Sequence, residues 1–203
     1  MGEHEIVVPL NCLPGFAEVF SGQYPLGFTG LPDDLVILDI GANCGAFSLA
    51  CLQRWPRAKI HAYEPHPGIF RYLAENLCKL GVTCYDSAVG NPTKNQFHFG
   101  IDNDLCGSQY MIGRQERDTV TVPVLHPSFL PQAHLVKIDT EGAECDIVGA
   151  LVFTPAVLIV EWHTEDNRRS IDATVSDSMR LASSAVHGRG WGVNVYIRHQ
   201  EAA

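Results

Sequence analysis

Residues 35–47 read LVILDIGANCGAF. A mostly apolar run with β-branched residues halts at Gly41, and helix formers resume from Cys44. That succession is the pattern of a strand buried on both faces, a tight turn and the opening of a helix. Gly41 and Gly45 let the turn bend sharply and approach a ligand closely. In an open sheet of strands and helices, ligands bind outside the carboxyl ends of the strands, where the strand order reverses. The turn therefore decides the fold and marks the first place to look for a site.

Outward from it the alternation repeats. Residues 44–55 are apolar nearly all round, as in a buried helix, and residues 59–63 (KIHAY) read as a second strand. Pro67 stands where a first helical position would be, and Ile69, Leu73, Leu77 and Leu80 follow as a stripe at helical spacing. Residues 82–89 predict a third strand and residues 135–138 a fourth, with an acidic stretch opening the next helix. Residues 156–162 (AVLIVEW) carry the strongest strand signal. Ile171, Val175, Met179, Ala182 and Val186 form another helical stripe, stopped by Gly188 and Gly190, before a closing strand at 193–197. The fold class predicted is α/β, a doubly wound and mostly parallel sheet with helices on both faces. Residues 91–132 interrupt the pattern, and alternation at 96–101 and 120–125 suggests a hairpin or short extra strands. Residues 1–34, with Pro9, Pro14, Pro25 and Pro32, read as an irregular cap over one end of the sheet.

Composition narrows the classes. A chain of 203 residues is the size of one domain with its own core. The net charge of −9 argues against nucleic acid as the main partner, since phosphate binding needs clustered Lys and Arg. Seven cysteines without CxxC spacing fit reduced thiols better than a disulfide framework or a zinc knuckle, and Cys51, Cys78 and Cys84 are expected in the core. The acidic N-terminus MGEHEIVVPL has no signal-peptide pattern, and no apolar run approaches the roughly 20 residues of a membrane helix. These features predict a soluble, cytoplasmic protein.

Two acids flank the turn. Asp39 lies two residues before Gly41, and Glu64 ends the second strand at the spacing of a ribose-binding carboxylate about 20 residues on. A dinucleotide site would want GxGxxG and a bare helix N-terminus for pyrophosphate. Here the turn is GxNxG, and Asp39 would repel a pyrophosphate. S-adenosylmethionine carries an ammonium and a sulfonium instead, which suits a neighbouring carboxylate. The bland alternative is a plain strand-to-helix turn with two convenient glycines.

Three blocks then become specific: VILDIGANCGAFSL, HAYEPHPGIFRYLAENL and LVKIDTEGAECDIVGAL, with a weaker fourth, LIVEWH. In order and spacing they resemble the FkbM family of methyltransferases, a branch of the class I S-adenosylmethionine-dependent enzymes. The resemblance implies that Asp39, Gly41, Asn43 and Gly45 line the methionine end of the cofactor. It implies that Glu64 holds the ribose, that Ser87 and Ala88 border the adenine, and that the Asp139 block faces the methyl donor. Two departures stand out. Relatives often have Leu-Asp where this chain has Leu125-His126. The class I sheet has seven strands, whereas only one is legible here after Gly190, so the last is expected to be missing or very short.

Chemistry at such a site needs donor and acceptor held in line, and a base for a hydroxyl acceptor. Candidates sit at the ends of the fourth and fifth strands. Asp139, Glu141 and His163 are the candidate catalytic residues, with His163 suited to a base near neutral pH. A metal is not expected; a minority option is a hard divalent ion held by Asp139, Glu161 and His163, with Glu165 nearby. Glu144 and Asp146 are read as serving the helix they begin, and Glu141 as falling in the same first turn. Tyr24 is a candidate to close over the cofactor, though an aromatic in a cap more often packs. Ser108 is a candidate substrate contact, and Arg168 and Arg169 read as a solvated pair or a seat for an anionic acceptor. The expected activity is O-methylation of a hydroxyl on a small molecule, a sugar or specialised metabolite. The alternatives are an NAD-type oxidoreductase, an S-adenosylmethionine-binding module without activity, and an amine or protein acceptor shaped by residues 1–34 and 91–132.

Overall fold

The computed structural model of the chain describes residues 5–91, 96–100, 119–187 and 190–199. Along it run α1 (Leu13–Phe20), β1 (Val36–Ile40), α2 (Ala46–Arg54), β2 (Lys59–Tyr63), α3 (Pro67–Leu77), β3 (Thr83–Tyr85), β4 (Ala88–Val89) and β5 (Gln96–Gly100). There follow β6 (Thr119–Leu125), β7 (Leu135–Ile138), α4 (Glu144–Ala150), β8 (Val157–Trp162), α5 (Glu165–Val175), β9 (Met179–His187) and β10 (Trp191–Arg198). Seven strands build the main sheet in the order β3-β2-β1-β7-β8-β10-β9. Six run in one direction, and β10 alone is reversed, inserted antiparallel between β8 and β9. The strand order reverses between β1 and β7, which brings the glycine turn beside the acidic stretch after β7.

Residue parity divides the core. Ile37, Leu135, Val157 and Ile159 pack with Phe47 and Cys51 of α2 and Leu73 and Leu77 of α3. Leu38, Ile40, Val136, Ile138, Leu158 and Val160 pack on the other face with Ile147 of α4 and Ile171 of α5. Alternate residues of one strand thus feed two cores, as the strand period of two requires.

Four expectations are corrected. The final strand is present: β9 and β10 complete seven. The stripe from Ile171 to Val186 is not one helix, because α5 ends at Val175 and a turn leads into β9. β9 is an edge strand, exposed along most of its length, so burial imposes no alternation on its sequence and nothing marked it as a strand. The third strand is split into β3 and β4, and β4 leaves the main sheet to pair with β6. Of the cysteines expected in the core, Cys51 is fully buried, but Cys84 is half-buried and Cys78 is exposed, since it opens a short 3₁₀ turn behind α3.

The hairpin suggested within 91–132 exists as β5 paired antiparallel with β6, while Ser108 lies outside the described residues. His126 caps the 3₁₀ turn Pro127–Phe129, its ring accepting from the Ser128 N–H. The segment before β1 contains α1, started at Leu13-Pro14, and α1 lies against α2. Among the described residues no helix is long and apolar enough to cross a membrane.

Candidate functional site

Period two also assembles the site. Asp39 of β1 and Lys137 of β7 are register partners in neighbouring parallel strands, and Ile159 of β8 is the next partner across. Asp139 lies two residues beyond Lys137 and Glu161 two beyond Ile159, so alternation puts all four polar side chains on one face. They stand at the carboxyl ends of the strands at the point of strand-order reversal, where open α/β sheets hold their ligands.

Lys137 is the hub, and it escaped the sequence reading. Its side chain is 3% exposed, with Nζ 3.4 Å from Asp39 and 3.6 Å from Asp139. It also donates to the Gly41 carbonyl at 2.6 Å. Burial alone would pull the ammonium's pKa down, but Asp39, Asp139 and Glu161 hold it above the usual lysine value. A signal was available: a lysine inside a four-residue strand that is otherwise apolar must be paired, because burying a lone charge is prohibitive. Asp39 is fully buried; its other oxygen accepts from Ser48 at 2.7 Å, and it does not line the cavity. Its carboxylate thus anchors α2 to the sheet and balances Lys137.

Tyr24 does more than pack. Its hydroxyl lies 2.6 Å from Glu161 Oε2 and 3.0 Å from Asp139 Oδ2, while the ring meets Phe47 edge-on and Lys137 over its face. Gln23 donates to the same Glu161 oxygen at 2.9 Å. Burial first, and then the charge of Asp139, pushes Glu161 up to about 7. Burial likewise raises Asp139, against the opposing pull of Lys137.

In the turn, Gly41, Asn43 and Gly45 all have positive φ. A Cβ on Gly45 would fall 2.7 Å from Leu77, so this glycine lets α2 and α3 pack. Glu64 is 4% exposed and ties the turn to β2, accepting from the N–H of Asn43 at 3.0 Å and of His66 at 2.8 Å. Burial pushes it up to about 7 despite those two donors. Ser87 and Ala88 lie after β3, where the chain turns into β4.

His163, just past β8, is clamped by acids. Nε2 is 3.1 Å from Glu141 and 3.7 Å from Glu161, and Nδ1 is 3.4 Å from Glu144. Burial would lower its pKa, but Glu141 and Glu144 push it up to about 11. An imidazolium at neutral pH has no free nitrogen to take a proton, so the base role expected of His163 does not fit this arrangement. Glu141 is not in the first turn of α4, as expected, but in the loop before it, at φ 57°. Glu144 starts α4 and organises that loop, accepting from Thr140 N, Thr140 Oγ1 and Gly142 N. Asp146 stays exposed in the first turn of α4.

The metal option names Asp139, Glu161 and His163; among the described residues the ligand atoms that come within 4.8 Å of one another are instead those of Asp139, Glu141 and His163. In this arrangement His163 is an ion-pair partner of Glu141, Glu144 and Glu161, and metal binding would require it to lose its proton first. Arg168 and Arg169 are engaged on α5 with Glu165 and Asp172, as a solvated pair would be.

The His163 clamp has a pH signature. A pKa raised in the folded state adds stability that is complete below the unfolded value of about 6.5 and lost as pH climbs through the folded value. The stability advantage over His163→Gln is therefore expected to be largest in mildly acidic solution and to shrink steadily towards pH about 11. Urea unfolding of both proteins across that window measures it, and an advantage that grows with pH would show that His163 is not held as a cation.

Tyr24, Lys137, Asp139, Glu141 and Glu161 border a cavity of about 360 Å³, which of the expected cofactor residues takes in Gly41 and Asn43 but not Asp39, Gly45, Glu64, Ser87 or Ala88. Its floor is Gly41, Asn43, Lys137, Asp139, Glu141 and Glu161, and α1 with Gln23 and Tyr24 forms its roof. That volume is at the small end of the range for small-molecule sites.

Comparison with known proteins agrees with the geometry. The family model described as "Methyltransferase FkbM domain" matches residues 39–181, more than half of the chain. Methyltransferase sdnD of Sordaria araneosa is 39% identical over 206 residues, covering 80% of this chain and 79% of its own length. Methyltransferase 1 of Beauveria bassiana is 30% identical over 151 residues, and the match spans 59% of each chain. Among solved structures, methyltransferase FkbM from Methylobacillus flagellatus has a TM-score of 0.58 at 15% identity, covering 88% of this chain and 47% of that one.

Proposed function

Since the chain belongs to the FkbM methyltransferase family, we propose that it transfers a methyl group from S-adenosylmethionine to a hydroxyl on a small molecule, a sugar or specialised metabolite. One observation carries the reading. Asp139 and Glu161 line the same cavity as the glycine turn, and they are joined through the Tyr24 hydroxyl. The donor's ammonium and sulfonium suit this acidic lining, whereas a pyrophosphate would meet Asp139, Glu141 and Glu161 with Lys137 as the one cation among the described lining residues and His163 behind two of the acids. That weighs against the dinucleotide alternative.

The residues fit the donor as follows. The bare turn at Gly41 and Asn43 lets the backbone approach the methionine end. Glu64 keeps lone pairs free beyond its two backbone donors and would accept from the ribose hydroxyls. The donor supplies an activated methyl group; the chain's part is to orient the acceptor and take its proton. Of the carboxylates on the cavity floor, Glu141 is paired with His163, Asp139 and Glu161 meet at the Tyr24 hydroxyl, and Glu161 sits near the neutral pKa at which a general base works best. His163 contributes fixed positive charge that keeps Glu141 and Glu144 in place.

Calorimetry with S-adenosylmethionine and with NAD tests the reading. The expected result is saturable binding of S-adenosylmethionine alone. Glu64→Gln should weaken it by about 1.5–3 kcal/mol, the range for a hydrogen bond to a charged group. Tight NAD binding without S-adenosylmethionine binding would sink the proposal. Turnover of an amine or a protein, with no hydroxyl compound accepted, would leave the donor assignment and replace the acceptor.

A further inference from the structure

We propose that Asp139, Tyr24 and Glu161 act as a single proton acceptor, with Tyr24 as the positioning residue that passes a proton from one carboxylate to the other. The proposal rests on the methyltransferase reading above and concerns how its base is built. The geometry sets a counting problem. One phenol oxygen lies within hydrogen-bond distance of two carboxylate oxygens, 2.6 Å from Glu161 and 3.0 Å from Asp139. A phenol has one proton to donate. With both acids ionised, only one contact contains a hydrogen, and the longer one to Asp139 is then the empty contact.

Three oxygens in a row with one proton are therefore one proton short. A proton arriving on Asp139 completes the row, because Asp139 can then donate to the phenol oxygen while the phenol donates to Glu161. During transfer the acceptor oxygen forms a bond to the methyl carbon, the carbon–sulfur bond breaks, and its electron pair stays on sulfur. The acceptor's proton goes to Asp139. Two short transfers, Asp139 to Tyr24 oxygen and Tyr24 proton to Glu161, leave Asp139 ionised again, Tyr24 unchanged and Glu161 protonated. No other reagent is needed.

The surroundings sort the two ends. Lys137 stands 3.6 Å from Asp139 and favours its ionised form, while Glu141 and His163 face it from the neighbouring loops. Glu161 takes Gln23 and Tyr24 from the roof, with His163 3.7 Å away and Asp139 across the phenol. Burial raises the phenol's own pKa well above the usual value, so Tyr24 returns its proton and is not left as a phenolate. The roof is thus part of the base: without residues 23–24 the two acids interact through charge alone and share no proton path.

The test needs no acceptor. Side-chain carboxyl carbons of Asp139 and Glu161 are followed by carbon-13 NMR during a pH titration of the whole protein, with Asp139→Asn and Glu161→Gln for assignment. Groups sharing one proton titrate in common steps that belong to the pair. Both carbons are expected to move together at the higher step, and in Tyr24→Phe that common step is expected to split. A second variant keeps the ring and its hydroxyl: difluorotyrosine placed at position 24, a stronger acid, is expected to shift the common step. Identical titrations with and without the hydroxyl, together with no response to the fluorinated ring, would overturn the proposal. Failure of S-adenosylmethionine to bind the wild type would count against the donor reading, which the titration does not touch.

Discussion

Replacing Lys137 by Met is expected to lower the free energy of unfolding by about 3–5 kcal/mol, the cost of removing one partner from a buried ion pair. A typical domain has about 5–15 kcal/mol in total, so the loss takes a large share of it. The physical reason is the two acids left behind. Asp39 is fully buried and would keep only the Ser48 hydroxyl as a donor at hydrogen-bond distance, and Asp139 would face Glu161 and Glu141 without its nearest cation. The Gly41 carbonyl would also lose a 2.6 Å donor. Met fills similar space, so packing is not the cause. A second substitution tells charge from volume. Adding Asp39→Asn to Lys137→Met removes one stranded charge and should recover part of the loss, as coupled neighbours do. Urea unfolding at neutral pH measures both. A loss below about 1 kcal/mol, within the range of exposed pairs, would mean that Lys137 is solvated and not the hub of the site.

The sheet was legible because its strands are buried on both faces, and burial writes itself into sequence as apolar runs. β1, β7 and β8 follow from LVILDI, LVKI and AVLIVEW for that reason, while β2 follows from the alternation in KIHAY, with Ile60 and Ala62 buried and Lys59 and His61 less so. β9 was not legible because the edge of a sheet exerts no such selection. Its residues, MRLASSAVH, satisfy a helical stripe as well as a strand, and the pairing with β10 decides between them. Site residues divide in the same way. Asp139 and Glu161 were visible as acids at strand ends. The bond between them was not, since Tyr24 lies 115 residues from one and 137 from the other. Glu141 and Glu144 were given different roles but the same helical turn, and the start of α4 separates them in place as well: one is held at positive φ in a loop, and the other is buried as the loop's acceptor. Local pattern did not show that Glu144 bends the chain back on itself by accepting from Thr140 and Gly142, which keeps Glu141 out of the helix.

Gly41→Ala tests whether the glycine turn is a matter of flexibility or of contact. Gly41 has φ 76°, and a Cβ there would fall 1.7 Å from the carbonyl oxygen and 2.8 Å from the carbonyl carbon of Asp139. Those are backbone atoms of the chain leaving β7, so no side-chain rotation relieves the clash. The left-handed conformation costs an L-residue about 1–2 kcal/mol, and forcing atoms into a packed region adds about 1–3 kcal/mol. The expected loss is therefore about 2–5 kcal/mol. Gly81 provides the control: its φ is 84°, and an added Cβ meets nothing within 4 Å. Gly81→Ala should cost only the conformational part, about 1–2 kcal/mol. The two variants also differ at the site. Relief of the clash at position 41 must move Asp139 away from β1, which opens its contacts with Tyr24 and Lys137 together. Binding of S-adenosylmethionine should then fail in Gly41→Ala under conditions where the protein is still folded, while Gly81→Ala binds like the wild type. Unfolding curves and calorimetry on both proteins decide the matter. Equal stability losses with equal donor affinity would show that β7 can yield, and that the turn needs its glycine only for conformation.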